Sequence, residues 1–143
     1  MPSEKKYAIW PAIIISLLAV VAPITIGTIE MRIARNAQAE TAVIDQLHAI
    51  AKAENEYHKA NDSFSAKLED LKTVAAPSQH YKIGYRLVSP DTYLTLAWPN
   101  EPGKHGKRYF FMDQTGVVRY EIMHAAGPAS NEVPGPKAEG SSK

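Results

Sequence analysis

Apolar residues follow three regimes along the chain. From Tyr7 to Ile29 the stretch YAIWPAIIISLLAVVAPITIGTI runs 23 residues without a charge. A helix of that length reaches about 34 Å, against about 30 Å for a bilayer's hydrocarbon core. The run therefore predicts a transmembrane helix over 7–29, behind a short basic N-terminus, 1–6, that carries Lys5 and Lys6. From Glu30 to Asn61 there is neither proline nor glycine. Val43, Leu47, Ile50, Glu54 and Tyr57 recur there every three or four residues, one stripe of an amphipathic helix over 30–60. Asn61-Asp62-Ser63 breaks it with turn and cap residues, and Phe64, Leu68 and Leu71 then mark a short helix over 65–74.

Beyond Gln79 the period changes to two. Tyr81, Ile83, Tyr85 and Leu87 alternate with Lys82, Gly84, Arg86 and Val88, which predicts a half-buried strand over 81–88. Leu94, Leu96 and Trp98 share a face of a second strand, 93–98. Four of the eight residues of PNEPGKHG, Pro99 to Gly106, are Pro or Gly, the mark of an exposed loop. Two further strands, 108–112 and 117–122, flank Asp113-Gln114-Thr115-Gly116, a type I turn in which Gly116 takes the positive φ. The fold class is α+β, with an antiparallel sheet of three or four strands. Its cover is the amphipathic half of the long helix, so Leu47, Ile50 and Tyr57 should meet Leu94, Leu96, Trp98, Phe110 and Tyr120. The α+β domain spans 30–126. The remainder, 127–143, has nine Gly, Pro or Ser in 17 residues and only Val133 to anchor it, and reads as a disordered tail.

Glu54 is the odd member of the helix stripe. It lies either at the stripe's edge, solvated or paired with a lysine, or inside as a buried carboxylate that selects a partner. In the first helix Ala12, Ser16 and Ala19 fall on one face at spacings of four and three, a small-residue surface of the kind membrane helices use to pack, and form a candidate assembly face.

Lys and Arg total 16 against 15 Asp and Glu, a formal charge of +1. That balance argues against a nucleic-acid partner. No cysteine is present, which excludes disulfides, thiolate catalysis and cysteine-bound metals. His48 and His58 lie on different helix faces, and His80, His105 and His124 sit in loops or at strand ends, with no paired metal-ligand spacing. No phosphate-binding glycine loop or nucleophile elbow occurs, and nothing aligns Ser, His and Asp as a triad. A non-enzyme without catalytic residues, metal or cofactor is expected.

Two stretches carry a resemblance to a family. AETAVIDQLHAIAKAENEYHKANDSFSAKLEDL, with Leu47, Ile50, Ala53, Glu54 and Tyr57, is similar to the first helix of type IV pilins and type II secretion pseudopilins. GKRYFFMDQTGVVRYE resembles the C-terminal hairpin of some bacterial pilin-like proteins. The likeness covers about residues 8–126. It departs from the family at the start, where the peptidase motif of prepilins is missing, so the N-terminus should be retained. The resemblance implies a single-pass protein of the bacterial inner membrane, N-terminus cytoplasmic and sheet domain periplasmic or extracellular. Its partners would be membrane lipid and other pilin-like subunits, itself included as a homo-oligomer, or pilus or secretion machinery. The alternative function is a tethered extracytoplasmic binding module for a soluble partner or ligand.

Overall fold

The computed structural model describes the backbone over 9–71 and 78–134 and the side chains over 29–71 and 78–134. The chain divides into two compact units, Met1–Ala34 and Arg35–Lys143. Helix α1 is Ile9–Asn61, which contains the expected 30–60. It ends where Asp62 takes a left-handed φ of 54° and gives its N–H to the His58 carbonyl at 2.8 Å, a C-terminal cap.

The membrane reading is corrected here. Among the described residues no helix is long and apolar enough to cross a membrane. From Ile29 onward, where the side chains of α1 are described, Ile29, Met31 and Ile33 are interspersed with the exposed charges Glu30, Arg32 and Arg35. The transmembrane and single-pass assignments therefore fall, and with them the inner-membrane location and its orientation. The side chains of Ala12, Ser16 and Ala19 lie outside the described residues.

In the second unit a five-stranded antiparallel meander follows the helix: β1 Tyr81–Ser89, β2 Thr92–Pro99, β3 Arg108–Asp113, β4 Arg119–Ile122 and β5 Asn131–Glu132, in that order across the sheet. The fold is α+β, with five strands in place of three or four. The fifth lies in the segment expected to be disordered. Ser130 N–H closes a turn on the Gly127 carbonyl at 3.1 Å, Val133 N–H bonds the Val118 carbonyl at 2.8 Å, and Glu132 pairs with Arg119 at 2.9 Å. Residues 135–143 lie outside the described residues. The Asp113–Gly116 turn forms with Gly116 at φ 72° and its N–H 2.9 Å from the Asp113 carbonyl. Only glycine adopts that backbone without strain.

Core residues come from one helix stripe and one sheet face. Val43, Leu47 and Ile50 have no exposed surface, and Tyr93, Ala97, Phe110, Met112 and Val118 meet them from the sheet side. The strand register fixes that face: Ile83 opposes Ala97, Ala97 opposes Phe110, and Phe110 opposes Tyr120. Leu94, Leu96 and Trp98 are therefore on the other face, which corrects their assignment to the helix–sheet core. Tyr57 and Tyr120 are partly buried against that core, and Phe110 is inside it. The short helix over 65–74 is also corrected, to a single 3-10 turn at Leu68–Asp70. Lys67 is extended, at φ −147° and ψ 149°, so no helix runs on from Ser65, and 72–74 lie outside the described residues.

Candidate interaction surface

Two buried carboxylates fasten the sheet side of the unit to α1. Glu54 is fully buried, the inner of its two expected places. Among the described residues its hydrogen bonds go to Ser65 and not to a lysine. Its Oε2 accepts the Ser65 N–H at 3.0 Å and its Oε1 the Ser65 hydroxyl at 2.5 Å. Tyr85 then donates its hydroxyl to the Ser65 carbonyl at 2.8 Å. One helix carboxylate thus holds the reversal after α1 and, through it, strand β1. Burial raises the Tyr85 phenol well above the ordinary tyrosine range, and the nearby Glu54 adds to the rise.

The second clasp is Glu40, which the sequence pattern did not single out. Its Oε1 accepts the backbone N–H groups of Lys107 and Arg108 at 2.9 and 3.3 Å, and its Oε2 accepts Arg108 Nε–H at 2.7 Å. The guanidinium in turn sits 5.0 Å from the Tyr120 ring centre. Tyr81 donates to the Arg108 carbonyl at 3.1 Å, and its ring packs on Gly106 so closely that a Cβ there would collide with it. Burial first, then the Glu40 charge, pushes the Tyr81 phenol up, against an opposing pull from Arg108. Both carboxylates are held by fixed donors within the fold.

The histidines are less scattered than their spacing suggests. His80 and His105 stack with ring centres 4.2 Å apart, and partial desolvation, then the charges of His80 and Lys104, hold His105 below the ordinary histidine range. His58 bonds Asp91 at 3.0 Å and packs on Phe64. Among the described residues no group of three or more His, Asp or Glu could hold a metal ion. A hollow of about 410 Å³ lies beside Tyr57, Asp70 and Leu71, where the chain passes out of the described residues.

The outer face of the sheet carries an apolar cleft. Trp98 lies there, 37% exposed. Its ring crosses Gly84, the glycine paired with Leu96, where an added Cβ would come within 3.1 Å of the indole. Leu96, Trp98, Tyr109, Ala125 and Ala126 border a cleft of about 180 Å³. Its far wall exists because the chain turns sharply at Met123, a non-glycine residue at φ 63°, whose N–H is tied to the Lys107 carbonyl at 2.9 Å. Such a backbone is uncommon for methionine. The alternation of the sequence revealed Leu94, Leu96 and Trp98 as one face; the pinning glycine and the strained methionine left no signal in it.

Compared with known proteins, the chain matches no family model and no curated relative.

Proposed function

We propose that the protein is a non-catalytic, pilin-like assembly protein that acts through contacts with other chains. The observation that carries this reading is the uneven covering of its helix. The stripe from Val43 to Glu54 is closed off within the second unit, while Ile29, Met31 and Ile33 are 57%, 62% and 63% exposed. Ile29 and Ile33 lie one helical turn apart on the same side of α1, an exposed apolar pair that favours a protein partner, and Met31 stands on the opposite side. The order of elements, a long helix followed by an antiparallel meander, also supports it, and so does the GKRYFFMDQTGVVRYE hairpin, which builds β3, the turn and the start of β4. The partners fitting this reading are further copies of the chain, other pilin-like subunits, or pilus or secretion machinery.

A photo-crosslinking side chain placed at Ile33 in the full-length protein, in the cells that produce it, tests this. Adducts with copies of the chain or with other long-helix subunits are expected. Adducts confined to unrelated single-domain proteins, or none at all, would overturn the proposal.

A further inference from the structure

We infer that the free edge of β1 takes an added strand from a partner protein, an extended acidic segment that pairs antiparallel with it and sets carboxylates opposite Lys82 and Arg86. The edge is the first reason. With the strands in the order β1 to β5 the sheet has two edges; β5 is only two residues long, whereas β1 has nine. Its pairing with β2 is regular from Tyr81 to Leu87. Among the described residues no other segment bonds the backbone of 82–87, so alternate N–H and C=O groups there have no backbone partner on the side away from β2. Such a row is a template for a further strand. Ile83, Tyr85 and Leu87 face the core from this strand and are only partly buried, so a neighbour on the edge would cover them further.

Charge selects the occupant. Lys82 and Arg86 both stand on the outer face of β1, on either side of Gly84, and both are exposed. Among the described residues neither enters an ion pair. The acids of that face are set back: Asp113 lies two strands in, in the row of Arg86, and Glu121 three strands in, in the row of Lys82. At about 4.8 Å per strand they stand roughly 10 and 14 Å away, beyond the screening length of about 8 Å at physiological salt. A carboxylate on an added strand would start about 5 Å away at Cβ. Between the two cations Gly84 leaves room, and the far edge of the Trp98 indole reaches over it, within 3.2 Å of where a Cβ would stand. An apolar residue opposite Gly84 therefore meets the indole. A second copy of β1 is a poor occupant, because antiparallel overlap centred on Gly84 sets Lys82 against Arg86, and like charges directly opposite destabilise. No two acids of this chain lie four residues apart, as the pair of cations requires, so the segment comes from a different protein. The inference does not rest on the contacts proposed for α1.

The probe is a nine-residue acetylated peptide with glutamate, phenylalanine and glutamate at its third, fifth and seventh positions and threonine elsewhere. It is titrated into the full-length, isotope-labelled protein and followed by NMR and amide exchange. Alternate amides of β1 should shift and exchange more slowly. Glutamine in place of both glutamates should weaken binding roughly 3–10-fold, from two exposed ion pairs, and lysine should weaken it further. In Lys82→Glu with Arg86→Glu the order should reverse, with the lysine peptide binding best. Two further peptides, N-methylated at every second residue in one alternation or the other, test the backbone: one of them should lose binding, because it lacks the pairing N–H groups. Equal binding of the three charge variants, an order that the double variant keeps, undiminished binding of both methylated peptides, or no response of β1 up to millimolar peptide would each overturn the inference. So would β1 amides that slow with rising protein concentration and no peptide, the mark of a second copy on the edge.

Discussion

Replacing Glu54 with alanine tests whether the buried carboxylate holds the chain reversal. The side chain is fully buried and receives both the N–H and the hydroxyl of Ser65. Hydrogen bonds to a charged group contribute about 1.5–3 kcal/mol each, and a stranded buried donor costs about 1–3 kcal/mol. In Glu54→Ala the Ser65 hydroxyl can turn towards the Tyr85 oxygen, 3.4 Å away, but the backbone N–H has no such freedom. A loss of about 3–5 kcal/mol follows, a third or more of the 5–15 kcal/mol that holds a typical domain together. Glu54→Gln keeps one acceptor for the N–H and offers its amide to the hydroxyl, so it should cost only about 1 kcal/mol. Urea unfolding followed by tryptophan emission measures both, with an unchanged m-value confirming that stability alone has altered. In a Ser65→Ala background the cost of Glu54→Ala should shrink by about 0.5–3 kcal/mol, because the shared bond is already gone. A Glu54→Ala loss below about 1 kcal/mol, with no coupling to Ser65, would refute the clasp.

Thr95 has no exposed surface and its Oγ1 has no hydrogen-bond partner among the described residues, so Thr95→Val should leave the shape intact and stabilise by about 1 kcal/mol, measured in the same urea assay. Gly106→Ala would drive a methyl into the Tyr81 ring and loosen its bond to Arg108, costing about 1–3 kcal/mol; a neutral result would mean the 104–107 loop shifts freely. Burial keeps the Tyr81 and Tyr93 phenols protonated above the usual tyrosine range. Unfolded tyrosines ionise near about pH 10, so above it the unfolded chain binds fewer protons than the folded one. That contribution is fully present below about pH 10 and is lost as the pH rises further, by at most about 1.4 kcal/mol per pH unit for each tyrosine. Urea midpoints that stay level from pH 9 to pH 11 would contradict the burial of both rings.

What the sequence made legible depended on how many residues each element repeats. The helix stripe shows from Val43 onward because several turns reinforce it, and the Asp113–Gly116 turn because aspartate and glycine each have a local reason to be there. β5 has two residues, both polar, and its pairing rests on Val133, Glu132 and the Gly127–Ser130 turn, none of which makes a period. The 3-10 turn at Leu68–Asp70 replaced a helix for a similar reason: Phe64, Leu68 and Leu71 have helical spacing, but Lys67 before the turn is extended and Ser65 engages Glu54 and Tyr85 through its backbone groups. Long-range bonds of that kind leave no mark on local composition. The uncharged run over 7–29 misled in another way, since length and lack of charge alone set the membrane expectation.

The face of β2 shows the deeper limit. Alternation assigns Tyr93, Thr95 and Ala97 to one side and Leu94, Leu96 and Trp98 to the other, and apolarity favours the second set for the core. The structure turns the first set inward: small Thr95 and Ala97 and large Tyr93 are all buried, the latter two in the cluster that holds Leu47 and Ile50. Tyr93 packs beside Phe64, with ring centres 4.8 Å apart. Interior packing near crystal density rewards such matching of large against small more than it rewards the most apolar face. The same choice turns Leu96 and Trp98 outward, where Gly84 flattens the indole and the turn at Met123 encloses it. A tight helix–sheet seam and an open aromatic cleft are thus two consequences of one strand orientation. Substitutions that enlarge Ala97 should therefore disturb both together, whereas changes at Trp98 should reach only the cleft.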